Sequence, residues 1–277
     1  MEFRRVYEAA SILAQIDPAD ADTEILEDIK DDDEGVLTVF SDDEAVGVVL
    51  LDDDEDAFLY VYIFPQYRRR GYGREAVKLL EEQLRKANCR TIETGYRVDV
   101  PAAVAMAAEM GYKVQFSSAY MEYSGPELDC GELFVRPYMD EDYPVAQAIA
   151  SEAFHLMRLS TGCFPDSVQD EPSEQQRKNW AKTTENRFVC LQDGELVAYG
   201  HIENSELADV SVKSFRQGEG IGRKFVGHLV NQIMKNGHET VSLYCVVGNM
   251  RARKLYDSLG FVERYCNCYA HKNLVES

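Results

Sequence analysis

Three closely spaced glycines lie between a predicted strand and a predicted helix. Val210 and Val212 alternate with polar residues, as in a half-buried strand, and the segment 225–234 repeats apolar residues at helical spacing. Between these segments, Gln217 is followed by glycines at 218, 220 and 222. Glycine lets the backbone approach a ligand closely, and the N-terminus of a helix adds unpaired N–H groups and partial positive charge. The segment therefore predicts an anion-binding turn.

The spacing of these glycines disfavours two common phosphate sites. No Gly-Lys-Ser/Thr follows them, so the turn is not a Walker A loop. They run G-x-G-x-G rather than G-x-G-x-x-G, and no clear train of parallel βαβ units surrounds them, which disfavours a dinucleotide site.

The chain contains a second copy of this turn. Arg68-Arg-Arg-Gly-Tyr-Gly-Arg74 also lies between an alternating apolar strand and an amphipathic helix. An offset of 149 residues relates Gly71 to Gly220, Gly73 to Gly222 and Gly111 to Gly260. Roughly 45 residues align at this offset without a gap, which indicates duplication of a whole domain.

A second motif follows the turn of the second copy. It reads Asn249-x-x-Ala252-x-x-x-Tyr256-x-x-x-Gly260-Phe261. Together with Gln217-x-x-Gly220-x-Gly222, it resembles the GNAT superfamily of N-acetyltransferases, whose pyrophosphate loop is Q/R-x-x-G-x-G/A. The resemblance covers roughly residues 187 to 264. A tandem arrangement of two such domains is itself known among GNAT enzymes.

The resemblance implies an α/β fold of two tandem GNAT-like domains. Each has a mostly antiparallel mixed sheet and a strand–loop–helix site for the pyrophosphate of an acyl-CoA. A segment rich in turn formers at 124–131 places the boundary so that the domains are 1–126 and 127–277. A length of 277 residues suits two domains. The connection 154–180 contains Gly162, Pro165 and Pro172 and is expected to be a long irregular loop.

The resemblance also implies which residues hold acetyl-CoA, the expected co-substrate. A backbone N–H near Val210 to Val212 polarises the thioester carbonyl, and Asn249 contacts the pantetheine arm or orients the site. The remaining expected binding residues are Gln217, Gly218, Glu219, Gly220, Ile221, Gly222 and Arg223, with Arg68, Gly71 and Gly73 in the first copy. No metal is expected, because Cys266, Cys268 and His271 lack the partner pair that a structural zinc requires.

Acetyl transfer to an amine needs a general acid and a general base. By the same resemblance, Tyr256 protonates the leaving thiolate. For the base, His201, Glu203 and Asp209 lie on strands that flank the acceptor cleft in this family. Glu203 is the first choice and Asp209 the second, while a chain of waters is an equal alternative.

The two copies are chemically unequal. At the 149-residue offset, Ala107 stands in the place of Tyr256 and Val100 in the place of Asn249. We therefore expect the second copy to catalyse, and the first to be structural or to bind a CoA ligand without turnover.

Composition narrows the possible partners. The net charge is −20, and acidic runs lie between the predicted strands of the first copy. Nucleic acid and anionic membranes need a basic surface and are not expected partners. The expected acceptor is a small-molecule or peptide amine, and the acidic surface favours a cationic one. Seven scattered cysteines without paired CxxC spacing are typical of a reducing cytoplasm, the expected location.

Two other functions are compatible with the sequence. One is a non-catalytic protein that senses acyl-CoA, against which the Asn249 and Tyr256 pair argues. The other is a scaffold in which neither glycine turn holds a ligand. The sequence leaves the acceptor, the preferred acyl chain and the oligomeric state undetermined.

Overall fold

The described residues of the chain form two compact units of strands and helices. The computed structural model describes residues 1–5, 8–21, 26, 29–30, 35–52, 56–161 and 171–274. These residues group into two compact units, a first unit of Met1–Ser117 with Tyr265–Ser277 and a second unit of Ser118–Arg264. The predicted boundary between two domains, after residue 126, stays a prediction.

The described part of the first unit contains a mixed sheet and helices. Its strands are β1 (Glu2–Arg5), β2 (Val36–Ser41), β3 (Glu44–Asp52), β4 (Asp56–Ile63), β5 (Thr91–Arg97) and the greater part of β12 (Val262–Asn273). They lie in the order β1-β2-β3-β4-β5-β12, and β4 with β5 is the parallel pair. Its helices are α1 (Ala9–Leu13), α2 (Tyr72–Lys86) and α3 (Pro101–Glu109).

The second unit repeats this plan. Its strands are the end of β6 (Lys113–Tyr123), β7 (Phe134–Pro137), β8 (Arg187–Gln192), β9 (Glu195–Glu203), β10 (Glu206–Val212) and β11 (Val241–Val246). They lie in the order β6-β11-β10-β9-β8-β7, with β10 and β11 parallel. Its helices are α4 (Tyr143–Thr161), α5 (Glu174–Trp180), α6 (Ile221–Lys235) and α7 (Met250–Leu259).

The final strands of the two repeats are exchanged between the units. Strand β6 ends the first repeat but pairs antiparallel with β11, whereas β12 ends the second repeat and pairs antiparallel with β5. Each unit therefore completes its sheet with a strand from the other repeat.

One apolar face of each main helix packs on its sheet. Helix α2 buries Val77, Leu80 and Leu84, and α6 buries Phe225, Leu229 and Ile233. Each such side chain contributes about 1.5–3 kcal/mol when it leaves water. This packing fixes the N-terminus of each helix beside its glycine turn.

The connection 154–180 differs from the irregular loop that its glycine and prolines predict. Helix α4 continues through residue 161, because 154–161 includes the good helix formers Leu, Met and Arg. Helix α5 begins after Ser173, whose hydroxyl accepts a hydrogen bond from the Gln176 N–H at 3.1 Å. Residues 162–170 lie outside the described residues.

Candidate functional site

The glycine turn of the second unit presents a helix N-terminus to open space. Gly218 and Gly220 have φ of +93° and +83°, a region that favours glycine. A Cβ added at Gly220 would meet no atom within 4 Å. Helix α6 begins at the next residue, and its first N–H groups have no acceptor within the helix. The turn can therefore bind an anion through its backbone.

Side-chain contacts hold this turn between β10 and α7. Gln217 Nε2 donates to the Val212 carbonyl at 3.0 Å, and its Oε1 accepts from Arg251 of α7. A Cβ at Gly222 would lie 3.7 Å from both Val212 and Leu255. Strand, turn and α7 therefore form one connected structure.

The charged side chains of the turn are bound to the protein itself. Glu219 accepts from Arg216, with Nε–Oε distances of 3.0 and 3.1 Å. Arg223 donates to the Ser258 carbonyl at 3.1 Å. Because these side chains are engaged, Glu219 and Arg223 can bind a ligand chiefly through their backbone N–H groups.

Strands β10 and β11 diverge beside the turn. Their described parallel pairing is confined to Glu206 opposite Ser242, and a register shift between Leu207 and Asp209 interrupts the pairing of β10 with β9. Beyond the shift, β10 stays paired with β9 through Val212. The Ser211 hydroxyl of β10 is buried without a hydrogen-bond partner among the described residues. Among the described residues, the carboxyl ends of β10 and β11 are therefore not paired with each other.

Tyr256 of α7 carries the candidate acid. Its ring packs against the core of the second unit, edge-on to Phe261 at 5.6 Å between centroids. Burial raises the pKa of the phenol far above its ordinary value, and the nearby Cys245 thiol of β11 adds to the shift. Within the part of the chain that the structure describes, the Tyr256 hydroxyl makes no hydrogen bond. It is a protonated donor at neutral pH.

Asn249 caps the helix that carries Tyr256. Its side-chain oxygen accepts a hydrogen bond from the Ala252 N–H at 3.2 Å. An asparagine cap stabilises a helix by about 1 kcal/mol and fixes its first turn. Asn249 therefore orients α7 in the structure.

The candidate bases separate into a half-buried group, Asp209, and an exposed one, Glu203. Asp209 lies opposite His201 in the β9–β10 register, with 3.9 Å between Oδ2 and Nδ1. Burial raises the Asp209 pKa; Arg187 opposes the shift and Glu203 adds to it. About a third of the Asp209 side chain, 37 %, still meets solvent, which limits the shift. Glu203 is exposed at the end of β9.

His201 is held neutral in the same row. Burial, followed by the charge of Arg187, lowers the His201 pKa from its ordinary 6.5 to about 4. Arg187 is itself buried, and its guanidinium stacks over Trp180 at 4.8 Å. Because they are two residues apart on β9, His201 and Glu203 lie on the same face of that strand. The position of His201 opposite Asp209 depends on the strand register, which the sequence does not specify.

The first unit keeps the turn without the acid. Arg68 Nε donates to the Ile63 carbonyl at 2.8 Å, the contact that Gln217 makes in the second unit. Gly71 has φ of +91° and precedes α2, and a Cβ at Gly73 would lie 3.3 Å from the Met106 sulfur. Ala107 occupies the position of Tyr256.

The model of the Acetyltransferase (GNAT) family matches residues 3–112 and 153–261. The chain belongs to this family. The two matched segments contain the two glycine turns, and the second also contains Tyr256. The predicted resemblance, the α/β fold and an acyl-CoA-dependent acetyltransferase are therefore confirmed. Family membership implies the use of acetyl-CoA.

Individual relatives agree with this assignment. The mycothiol acetyltransferase of Kineococcus radiotolerans is 26% identical over 244 residues, which is 83% of this chain and 76% of that protein. The [ribosomal protein bS18]-alanine N-acetyltransferase of Escherichia coli is 31% identical over 80 residues, which is 27% of this chain and 54% of that protein.

Solved structures share the fold at low sequence identity. A GCN5-related N-acetyltransferase from Sphaerobacter thermophilus has a TM-score of 0.71 at 17% identity and covers 100% of this chain and 96% of its own. A tandem GNAT protein from the clavulanic acid biosynthesis pathway has a TM-score of 0.64 at 15% identity and covers 100% and 99%. These two chains support the tandem arrangement of the fold.

The described residues contain neither a metal-binding cluster nor a helix that could span a membrane. Among them, no three His, Cys, Asp or Glu side chains come together as a metal site. None of their helices is long and apolar enough to cross a membrane.

Proposed function

We propose that the second unit transfers an acetyl group from acetyl-CoA to a primary amine by direct attack. The observation that supports this most is the connection of the Gly220 turn to α7, the helix that carries Tyr256. An anion-binding backbone and a proton donor thereby lie on one packed structure beside the cleft between β10 and β11. The amine belongs to a small molecule or a peptide.

The residues present fit acetyl-CoA, which supplies the activated thioester. The N–H groups of residues 218–223 would hold the pyrophosphate, because the turn is open at Gly220 and its acidic side chain is paired with Arg216. A backbone N–H of β10 near Val210 to Val212 would polarise the thioester carbonyl. One fixed donor of this kind can lower a barrier by about 3 kcal/mol.

Tyr256 is the general acid in this proposal. Its hydroxyl is protonated at neutral pH and makes no hydrogen bond with the described residues, so that it is available to give its proton to the leaving thiolate. Asn249 acts on the reaction through α7, because it caps that helix. In the first unit, Ala107 offers no proton at the corresponding position.

Asp209 is the general base that the electrostatics favour. Efficient bases have a pKa near the working pH, and burial moves the Asp209 carboxyl in that direction. The His201 pKa moves away from neutrality, so its role is to position Asp209 rather than to accept the proton. Glu203, the first choice from the sequence, remains the competing base.

A panel of amines tests the proposal. Acetyl-CoA-dependent release of free thiol should appear with at least one polyamine, aminoglycoside, amino acid or peptide. Tyr256→Phe should lower kcat by on the order of 10²-fold or more, because a general acid contributes that much. Tyr244→Phe is the matched control, since it removes a phenol from β11 and should leave kcat unchanged.

Either of two results would contradict this assignment. Undiminished turnover in Tyr256→Phe would show that Tyr256 is not the general acid. Tight binding of acetyl-CoA without thiol release for any amine would favour the alternative, a protein that senses acyl-CoA.

The same assay separates the two candidate bases. Asp209→Asn should lower kcat/KM by about 10²-fold at neutral pH, and Glu203→Gln should change it less than about threefold. A large loss in Glu203→Gln with an active Asp209→Asn enzyme would restore Glu203 as the base.

A further inference from the structure

The first unit contains a cavity of about 440 Å³ next to its own glycine turn. It lies where β4 and β5 diverge, because their described parallel pairing ends at Phe58 opposite Glu93. All the residues that line it belong to Met1–Ser117. Its walls are mainly apolar and include Val61, Ile63 and Met106. A volume of this size is typical of a small-molecule site.

Small side chains on α3 make room for this cavity. Ala102, Ala105 and Ala107 line it. The positions of α7 related to them by the 149-residue offset are Arg251, Lys254 and Tyr256. Three long or aromatic side chains are thus replaced by methyl groups, and the space beyond the thioester position is apolar.

The mouth of the cavity is cationic. The turn 68–74 contains four arginines and no acidic residue, whereas 217–223 contains one arginine and one glutamate. Arg68 is paired with Asp20 and Arg74 with Glu109, and Arg70 lies over the Tyr67 ring at 5.6 Å. Arg69 is exposed and makes no ion pair with any described residue. Arginine binds phosphate oxygens well, so this end of the cavity suits a phosphorylated group.

The described lining of the cavity has no phenol at the position that Tyr256 holds in the second unit. Ala107 replaces the acid, and the Tyr62 phenol at the wall is already engaged. Tyr62 donates to Asp20 Oδ1 at 2.6 Å and accepts from the Asp17 N–H at 2.9 Å. Burial and the bond to Asp20 raise its pKa to about 12. A thioester bound here would be held without transfer of its acyl group.

We propose that this cavity binds an acyl thioester of coenzyme A whose chain is longer than acetyl and holds it intact. The apolar walls beside Ala107 contact the chain, and the arginine turn contacts the phosphates. The site is separate from the acetyl-transfer site of the second unit, and its occupancy does not depend on whether the second unit catalyses.

Calorimetry on the full chain tests this inference with coenzyme A and its acetyl, butanoyl, hexanoyl and octanoyl thioesters. One class of site per chain should bind more tightly as the chain lengthens. Burial of each methylene should strengthen binding by at most about fourfold. Octanoyl-pantetheine, which lacks the phosphates, should bind at least tenfold more weakly than octanoyl-CoA. Equal affinity for all chain lengths would overturn the chain-length inference, and equal binding of octanoyl-pantetheine would overturn the role of the arginine turn.

Two variants locate the site. Ala107→Leu should fill the cavity and abolish the chain-length-dependent class, while acetyl-CoA-dependent thiol release continues. Arg69→Gly keeps the backbone of the turn accessible and should weaken octanoyl-CoA binding several-fold, so it serves if Ala107→Leu does not fold. Unchanged octanoyl-CoA affinity in either folded variant would contradict the inference. Absence of thiol release by the wild-type chain would contradict the proposed function of the second unit and leave this inference unaffected.

Discussion

The two glycine turns have nearly the same backbone but face different side chains. Gly71 and Gly220 have φ of +91° and +83°, and each precedes a helix of 15 residues. Arg68 and Gln217 make the same hydrogen bond to the last carbonyl of the preceding strand. The geometry that suits a phosphate therefore persists in both units.

The difference lies in a few positions around that shared geometry. Tyr256 corresponds to Ala107, Asn249 to Val100 and Asp209 to Tyr60. Val100 makes no side-chain cap for α3, whereas Asn249 caps α7. Binding and chemistry are thus separable in this fold, since the backbone supplies one and single side chains supply the other.

The largest expected contrast concerns the two turns. Gly220→Val should lower kcat/KM for acetyl-CoA by on the order of 10²-fold, because valine disfavours the left-handed backbone and misplaces the ligand. Gly71→Val imposes the same strain in the first unit and should leave turnover within about threefold of the wild type. Steady-state thiol release measures both. Loss of turnover in Gly71→Val alone would reverse the assignment of the catalytic unit.

A smaller contrast concerns the pH dependence of stability in the second unit. The folded His201 pKa is about 4, below its ordinary 6.5, so the folded state binds fewer protons than the unfolded state in this window. The contribution of neutral His201 to the free energy of unfolding is therefore fully present above pH 6.5. It is lost as the pH drops toward 4, by at most about 1.4 kcal/mol per pH unit.

His201→Gln isolates this effect, because Asp209 and Arg187 remain in place. The difference in unfolding free energy between wild type and variant should shift against the wild type between pH 7.5 and 5, as urea unfolding measures. A difference that stays constant over this range would show that His201 is not held neutral.

The smallest contrast compares Arg69 with Gly218, which correspond in the two turns. Arg69 has φ of +64°, a conformation that costs a non-glycine residue about 1–2 kcal/mol. Arg69→Gly should raise the free energy of unfolding by about 0.5–1 kcal/mol after the entropic cost of glycine. Gly218→Arg should lower it by about 1–2 kcal/mol. If both changes destabilise the chain equally, the two turns do not share this backbone.

The sequence alone determined the duplication, the two glycine turns, and the strand and helix that flank each turn. Glycines at positive φ and alternating apolar residues leave a local signature, so helices α2 and α6 begin where the turn ends, as predicted. Strand β1 is not predicted by the sequence, because four residues carry little periodicity. The ends of the connection 154–180 were predicted to be irregular, because its prolines were given more weight than its good helix formers.

Only the tertiary structure decided which strand completes which sheet and which candidate base is half-buried. Strands β6 and β12 hold equivalent places in the two repeats, so local pattern does not decide whether each pairs with β5 or with β11, and the choice depends on long-range packing. The position of Asp209 opposite His201 follows from the β9–β10 register. The cavity in the first unit is lined both by the α3 alanines and by the diverging strands β4 and β5. Desolvation and open volume are properties of the packed chain, and they leave no signature in residue order.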